Sequence, residues 1–388
     1  MSKKKRVHLL ISDTGSGHRS ASNALKQRLL EKGLDWDIRI INMYKEILQE
    51  DAEEIYNTML KLGLGRFYWP VVVPIFRVMI KWGEKVGAAK FQRYFLEHKP
   101  DLVVSTSGMT NHVLQNCVRQ ALPETPFVVM MCDMLDMEKF YLVQQEHYDP
   151  LSYAICPSPE SAAQARSLGY REAQIVQTSG IPFAPDSYLP TQLNKRVERL
   201  KQGLDPDVPT IMLCFGGYAS KEVETLVMRL EQLGRPCQIV AMCGHNKTLE
   251  QRLRKLKTKN KLVVQGFTKE LHYFMQLSDI YIGKPGSSIF FAALMKLPVI
   301  CELNGRTMLH ERGNAEIMQK QGLGMAVDDF RDICSAVNKI LEPTHYQKLQ
   351  ENLSLYRNRG VFEVCDFFQH LLEPVDDSAD AKSLAQTA

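Results

Sequence analysis

The chemistry-bearing residues come early: Asp13-Thr14-Gly15-Ser16-Gly17-His18-Arg19-Ser20-Ala21 follows the apolar run 7–12 and leads into Leu25, Leu29 and Leu30 on helical spacing. A G-x-G turn between strand and helix lets the backbone N–H groups at Gly15 and Gly17 approach a ligand at the positive end of the helix dipole. His18, at the mouth of an open sheet, can take a proton from a hydroxyl, because an unperturbed imidazole titrates near pH ~6.5. The alternative is a histidine that caps its own helix. Ser20 stands where a dinucleotide fingerprint needs its third glycine, which disfavours NAD or FAD.

A second constellation lies in the other half, where the strand-like 280–282 runs into Gly283-Lys284-Pro285-Gly286-Ser287-Ser288 and an apolar helix. Free N–H groups at such a helix start suit a diphosphate, and Ser287 or Ser288 can add a hydroxyl. Lys284 precedes the turn glycine and the G-x-x-x-x-G-K spacing is absent, which disfavours ATP hydrolysis. Phe215-Gly216-Gly217, Cys243-Gly244-His245-Asn246 and Gly266-Phe267-Thr268 end three further strand-like runs. Each alone is an ordinary turn; together they outline a nucleotide site.

These turns need parallel strands to position them. Runs rich in β-branched residues at 7–12, 37–42, 102–105, 127–132, 153–156 and 175–178, then at 210–214, 238–243, 262–265, 280–282 and 298–302, alternate with helical stretches such as 223–233, 249–256 and 289–295. That pattern predicts an α/β fold of two doubly wound Rossmann-like domains facing a cleft. A length of 388 residues agrees, being too great for one ordinary core. Five prolines between Ile181 and Pro209 mark a connection. The expected division is 1–190, 191–374 and a disordered tail at 375–388.

Composition is that of a globular protein, 45% hydrophobic and 24% charged. The net charge of +4 is too slight to indicate a nucleic-acid binder unless it is concentrated somewhere. Nine cysteines without a C-x-x-C pair indicate neither a disulfide framework nor a zinc knuckle, and with no export signal in view the expectation is cytoplasmic. The apolar run 67–76 contains Pro70 and Pro74 and is too short to span a bilayer as a helix. Asp205-Pro206-Asp207 spells D-x-D but lies in the proline-rich connection, where it reads as a turn.

Taken in order, the loop 13–21, Cys243-Gly244-His245-Asn246, Gly266-Phe267-Thr268 and Gly283-Lys284-Pro285-Gly286 resemble the monogalactosyldiacylglycerol synthase and processive diacylglycerol glucosyltransferase branch of the MurG-like glycosyltransferases. The resemblance runs over roughly residues 6–340. It implies a GT-B fold with an N-terminal acceptor domain, a C-terminal UDP-sugar domain and a final helix that crosses back. It further implies His18 as base or acceptor-orienting residue, and Asp133, with Asp136 after it, as second base or as the partner orienting His18. Glu311 and Asn314 would hold sugar hydroxyls, Arg312 would neutralise phosphate, and Phe267 with its neighbours would lie against uracil. No metal or cofactor is implied beyond the UDP-sugar itself.

Two departures stand out. The family places in the helix after Gly286 a glutamate that grips ribose, and Ala292 occupies the expected position; His310 stands where the family commonly has glutamine. Either the donor site is retuned or the copy is catalytically poor. Residues 66–98 interleave aromatics with Arg66, Arg77, Lys81, Lys85, Lys90 and Arg93, which suits an anionic membrane surface; the alternative is a helical subdomain packing inward. The expectation is therefore a peripheral, metal-independent, inverting hexosyltransferase acting on a lipid such as diacylglycerol. The alternatives are another lipid or terpenoid acceptor, or a nucleotide-sugar-binding or membrane-sensing protein without turnover.

Overall fold

The computed structural model describes residues 4–13, 17–50, 87–108, 110–137, 139–189, 193–305 and 307–373. Two six-stranded parallel sheets organise the chain. The first comprises β1 (Arg6–Ile11), β2 (Asp37–Asn42), β3 (Leu102–Ser105), β4 (Phe127–Met130), β5 (Ser152–Cys156) and β6 (Ile175–Gln177) in the order β2-β1-β3-β4-β5-β6. The second comprises β7 (Thr210–Cys214), β8 (Gln238–Gly244), β9 (Lys261–Gly266), β10 (Ile280–Gly283), β11 (Val299–Glu302) and β12 (Gly324–Val327) in the order β12-β11-β10-β7-β8-β9. The inner strands are almost continuously buried, as strands covered by helices on both faces must be.

In such sheets a ligand crevice opens where neighbouring strands send their crossovers in opposite directions. In the first sheet this lies between β1 and β3, so the glycine loop after β1 stands at the opening. In the second it lies between β7 and β10, whose ends are in register at Cys214 and Gly283. The loops 215–218 and 284–287 therefore leave the sheet side by side.

The last described helix, Gly360–Leu372, returns to the first unit and buries Val361, Val364, Cys365 and Phe368 in that core, beside Leu25 and Leu29 of the helix Gly17–Glu31. The chain thus crosses between the units twice. β12 had no counterpart among the expected strands: Gly-Met-Ala-Val is short and only half-buried. Most of 66–98 and the tail 375–388 lie outside the described residues. The described part, the helix 87–98, turns Phe91 and Phe95 into the first core and leaves Arg93 exposed.

Candidate active site

Both ends of the first glycine loop are pinned. The Arg19 guanidinium donates twice to the Asp13 carboxylate at 2.7 Å, and Asn42 Nδ2 donates to the same carboxylate at 3.0 Å. Gly15 lies outside the described residues. A Cβ on Gly17 would come within 3.3 Å of Ser287 Oγ, so the two glycine loops abut across the cleft. His18, in the first turn of the helix, is 9% exposed, hydrogen-bonded to the Thr106 backbone, and without a partner at Nδ1 among the described residues. Burial holds its pKa below the ordinary imidazole value against the opposing pull of Asp133. It is accordingly neutral at physiological pH and able to accept a proton.

Asp133 follows β4 and is 6% exposed. Its carboxylate accepts from the Tyr141 hydroxyl at 2.8 Å and from Asn314 Nδ2 at 2.7 Å. Asn314 belongs to the second unit and is fully buried; it also donates to the Pro285 carbonyl at 3.0 Å and accepts from the Met134 N–H at 2.8 Å. One side chain thus ties the carboxylate of the first unit to the glycine loop 283–288 of the second. Its helix, Leu309–Lys320, packs so tightly there that a Cβ on Gly313 would fall 2.6 Å from Leu135. His310 stacks on Phe140 across the same junction, with ring centroids 5.4 Å apart. Asp136 accepts from the Tyr141 and Leu142 N–H groups at 2.9 and 2.8 Å and so shapes the loop.

On the other wall, Lys284 Nζ lies 2.5 Å from Glu311 Oε1. Burial acts against both charges, but each outweighs that penalty for the other: the Lys284 pKa is raised and that of Glu311 lowered. A side chain on Gly286 would begin 3.2 Å from Glu311 Oε1. Ser287 opens the helix Ser288–Leu294, while Ser288 Oγ accepts from the buried Tyr281 hydroxyl at 2.8 Å and so faces the core. The Arg312 guanidinium lies against the Thr307 and Asn304 carbonyls at 3.4 Å.

Three loops at the β7, β8 and β9 ends complete the mouth. Gly216 adopts φ +80°, the His245 N–H donates to the Gly217 carbonyl at 2.8 Å, and a Cβ on Gly244 would fall 2.1 Å from that carbonyl. Only glycine permits this approach. His245 stacks on Phe267 at 4.0 Å with Tyr218 tilted beside it; Phe267 is 52% exposed, an open aromatic face on which a base can lie. Thr268 Oγ1 accepts from the Glu270 N–H at 3.0 Å and fixes the turn.

Ala292 departs from expectation: it is fully buried in the apolar cluster with Met212, Tyr281 and Val299, so a carboxylate there would enter the core. The preceding Phe291 is half-buried and stacks on Phe183 at 5.0 Å. Asp205-Pro206-Asp207 is a turn, with the Asp207 N–H donating to Asp205 at 2.8 Å and Asp207 paired to Arg196 at 2.6 Å. Among the described residues no group of three or more His, Cys, Asp or Glu is arranged to hold a metal ion. Tyr141 and Phe140 went unnoticed in the sequence; their signal was an aromatic pair inside a polar loop that already carries Asp133 and Asp136.

The architecture is the GT-B glycosyltransferase fold. MurG of Acinetobacter baumannii superposes with a TM-score of 0.57 at 13% identity, over 94% of this chain and 99% of that one. The Staphylococcus aureus MnaA–UDP complex gives 0.60 at 12% identity, over 96% and 98%. In sequence, the chain is similar to monogalactosyldiacylglycerol synthases: 27% identical to synthase 3 of Arabidopsis thaliana, over 95% of this chain and 81% of that protein. It is 26% identical to the probable soybean (Glycine max) enzyme, over 93% and 70%. No protein-family model matches the chain.

Proposed function

We propose that the protein transfers a hexose, galactose or glucose, from a UDP-sugar to a hydroxyl of a membrane lipid such as diacylglycerol, in a single inverting displacement. The observation that carries this reading is the meeting of buried His18 and Asp133 from one unit with buried Glu311 and Asn314 and half-buried Lys284 from the other. The fold alone is compatible with other UDP-sugar chemistry; the similarity to monogalactosyldiacylglycerol synthases over nearly the whole chain favours a lipid acceptor.

In the proposed step, uracil lies on Phe267 and His245, and the diphosphate lies along Gly216, Gly217 and 284–288. Neutral His18 takes the acceptor hydroxyl proton as its oxygen attacks the anomeric carbon. The bond from that carbon to the β-phosphate oxygen breaks, and the charge developing on UDP is met by Lys284 and the loop N–H groups. Asp133 stabilises the imidazolium that forms. Glu311 and Arg312 line the donor side, with no metal required. Ala292, buried in the core, no longer speaks for an impaired donor site.

No helix among the described residues is long and apolar enough to cross a membrane. We take the protein to be peripheral on the cytosolic face, with 66–98 touching an anionic surface. The test is incubation with UDP-galactose or UDP-glucose and diacylglycerol in anionic vesicles. A glycolipid of inverted anomeric configuration is expected. Binding of UDP without transfer to any lipid alcohol would overturn the reading.

A further inference from the structure

The small positive excess of the chain is not spread evenly. Residues 247–261 carry Lys247, Arg252, Arg254, Lys255, Lys257, Lys259 and Lys261 against Glu250 alone, a net +6, whereas the whole chain is +4 and everything outside this segment therefore sums to −2. The segment comprises the helix Lys247–Lys255, the turn 256–260 and the first residue of β9, the outermost strand of the second sheet.

Three of these cations are neutralised locally. Lys247 and Arg254 share Glu250 at 3.0 and 2.9 Å, and Arg252 pairs with Glu224. Lys255, Lys257, Lys259 and Lys261 are exposed, and among the described residues none of the four has an ion-pair partner. The turn that presents them is fastened. The Glu231 carboxylate accepts the Lys259 and Asn260 N–H groups at 2.6 and 3.1 Å, and Asn260 Nδ2 donates to the Leu230 carbonyl at 3.2 Å. The nearby acid thus serves the backbone, and four like charges are held together at a cost in mutual repulsion that an anionic partner relieves. Arg254, Lys257, Lys259 and Lys261 line an open depression of about 700 Å³ together with Leu256 and Leu262.

We propose that this basic edge of the second unit docks the protein on an anionic phospholipid surface. Residues 247–262 contain no aromatic side chain on which a base could stack, so the surface lacks the platform of a single-stranded nucleic-acid site. It has instead dense lysine charge around an open depression, which suits phosphate headgroups. The turn precedes β9, whose six residues separate it from Gly266 and Phe267 by roughly 20 Å at ~3.3 Å per residue. A membrane held there leaves the mouth at Phe267 open to a water-soluble donor. This surface is distinct from 66–98 and does not depend on which reaction the cleft performs.

The experiment is flotation of the full chain with phosphatidylcholine vesicles, with and without about one-third phosphatidylglycerol, at low and moderate salt. Wild type should bind the anionic vesicles at least ~10-fold better than neutral ones, with the difference shrinking as salt rises. Joint replacement of Lys255, Lys257, Lys259 and Lys261 by glutamine should remove most of that difference while melting temperature and UDP affinity stay unchanged. Lys257→Glu with Lys259→Glu should do the same should the fourfold variant fold poorly. Wild-type binding by well-folded lysine variants overturns the proposal, and so does loss of binding only in Trp69→Ala with Trp82→Ala. Retention of the chain on heparin or RNA without vesicle binding assigns the patch to another polyanion and also overturns it. Absence of sugar transfer with this lipid binding intact counts against the transferase reading alone.

Discussion

His18 is neutral because it is buried, and its Nδ1, buried and without a hydrogen-bond partner among the described residues, has a lone pair left to take a proton. Positioned general-base assistance commonly contributes 10²–10⁴-fold, so His18→Ala should lower transfer by about 100-fold or more. UDP affinity by calorimetry should be unchanged; full turnover in a folded variant would remove His18 from the mechanism. Gly286 argues the donor side, since a side chain there starts 3.2 Å from Glu311 Oε1, against the ion pair with Lys284. Gly286→Val should weaken UDP binding in calorimetry, and an unaltered affinity would place the diphosphate elsewhere. Ala292→Glu should not tighten UDP: a carboxylate forced into the cluster of Met212, Tyr281 and Val299 should cost roughly 3 kcal/mol or more, visible as a lower melting temperature.

At the scale of elements, the helix Leu309–Lys320 and the loop after β4 form one joint, with Asn314 as its central bond. Asn314→Ala removes the partner of the Met134 N–H, of one Asp133 oxygen and of the Pro285 carbonyl in the interior, each worth about 1–3 kcal/mol. The expected result is a fall in kcat with little change in donor KM, because the carboxylate loses its alignment. A rise in donor KM at constant kcat would instead favour the sugar-hydroxyl role that the resemblance implies for Asn314. This joint is also where sequence reading reached its limit. Eleven of the twelve strands among the described residues were legible, most of them because buried parallel strands are continuous apolar runs. β12 was not, since half-buried Gly-Met-Ala-Val carries no such run. The glycine loops were legible because close backbone approach demands glycine. The partners of Asn314 were not, because its contacts with Asp133 and Met134 span some 180 residues and depend on how the two units meet. The burial of Ala292 was not legible, because the motif does not say which face of a two-turn helix meets the core.

Over the whole molecule, the buried ionisable groups set how the fold responds to acid. His8, buried on β1 beside the edge strand of the first sheet, bonds the Tyr94 hydroxyl through Nδ1 at 2.7 Å, and burial lowers its pKa to about 4. Between pH 6.5 and 4 the unfolded chain therefore carries a proton on His8 that the folded chain does not, so stability falls as pH drops through that window. The depressed His18 acts in the same direction. Asp136 acts in the opposite one: burial pushes its pKa up to about 6, so the folded chain keeps a proton that the unfolded chain releases, and stability rises on acidification toward its ordinary value of 3.8. At ~1.4 kcal/mol for each tenfold difference in proton affinity between folded and unfolded chain, His8 and Asp136 each contribute about 3 kcal/mol over their windows and largely cancel, leaving His18, joined below pH 4.5 by the depressed Glu311, to tip the wild type toward acid destabilisation. The single variants should separate the two. Urea unfolding from pH 7 to pH 4.5 should show a shallower acid loss for His8→Gln than for wild type and a steeper one for Asp136→Asn, whatever each variant costs at neutral pH. Parallel pH profiles for all three proteins would mean that neither group titrates across the folding transition, and that acid sensitivity resides in the surface carboxylates instead.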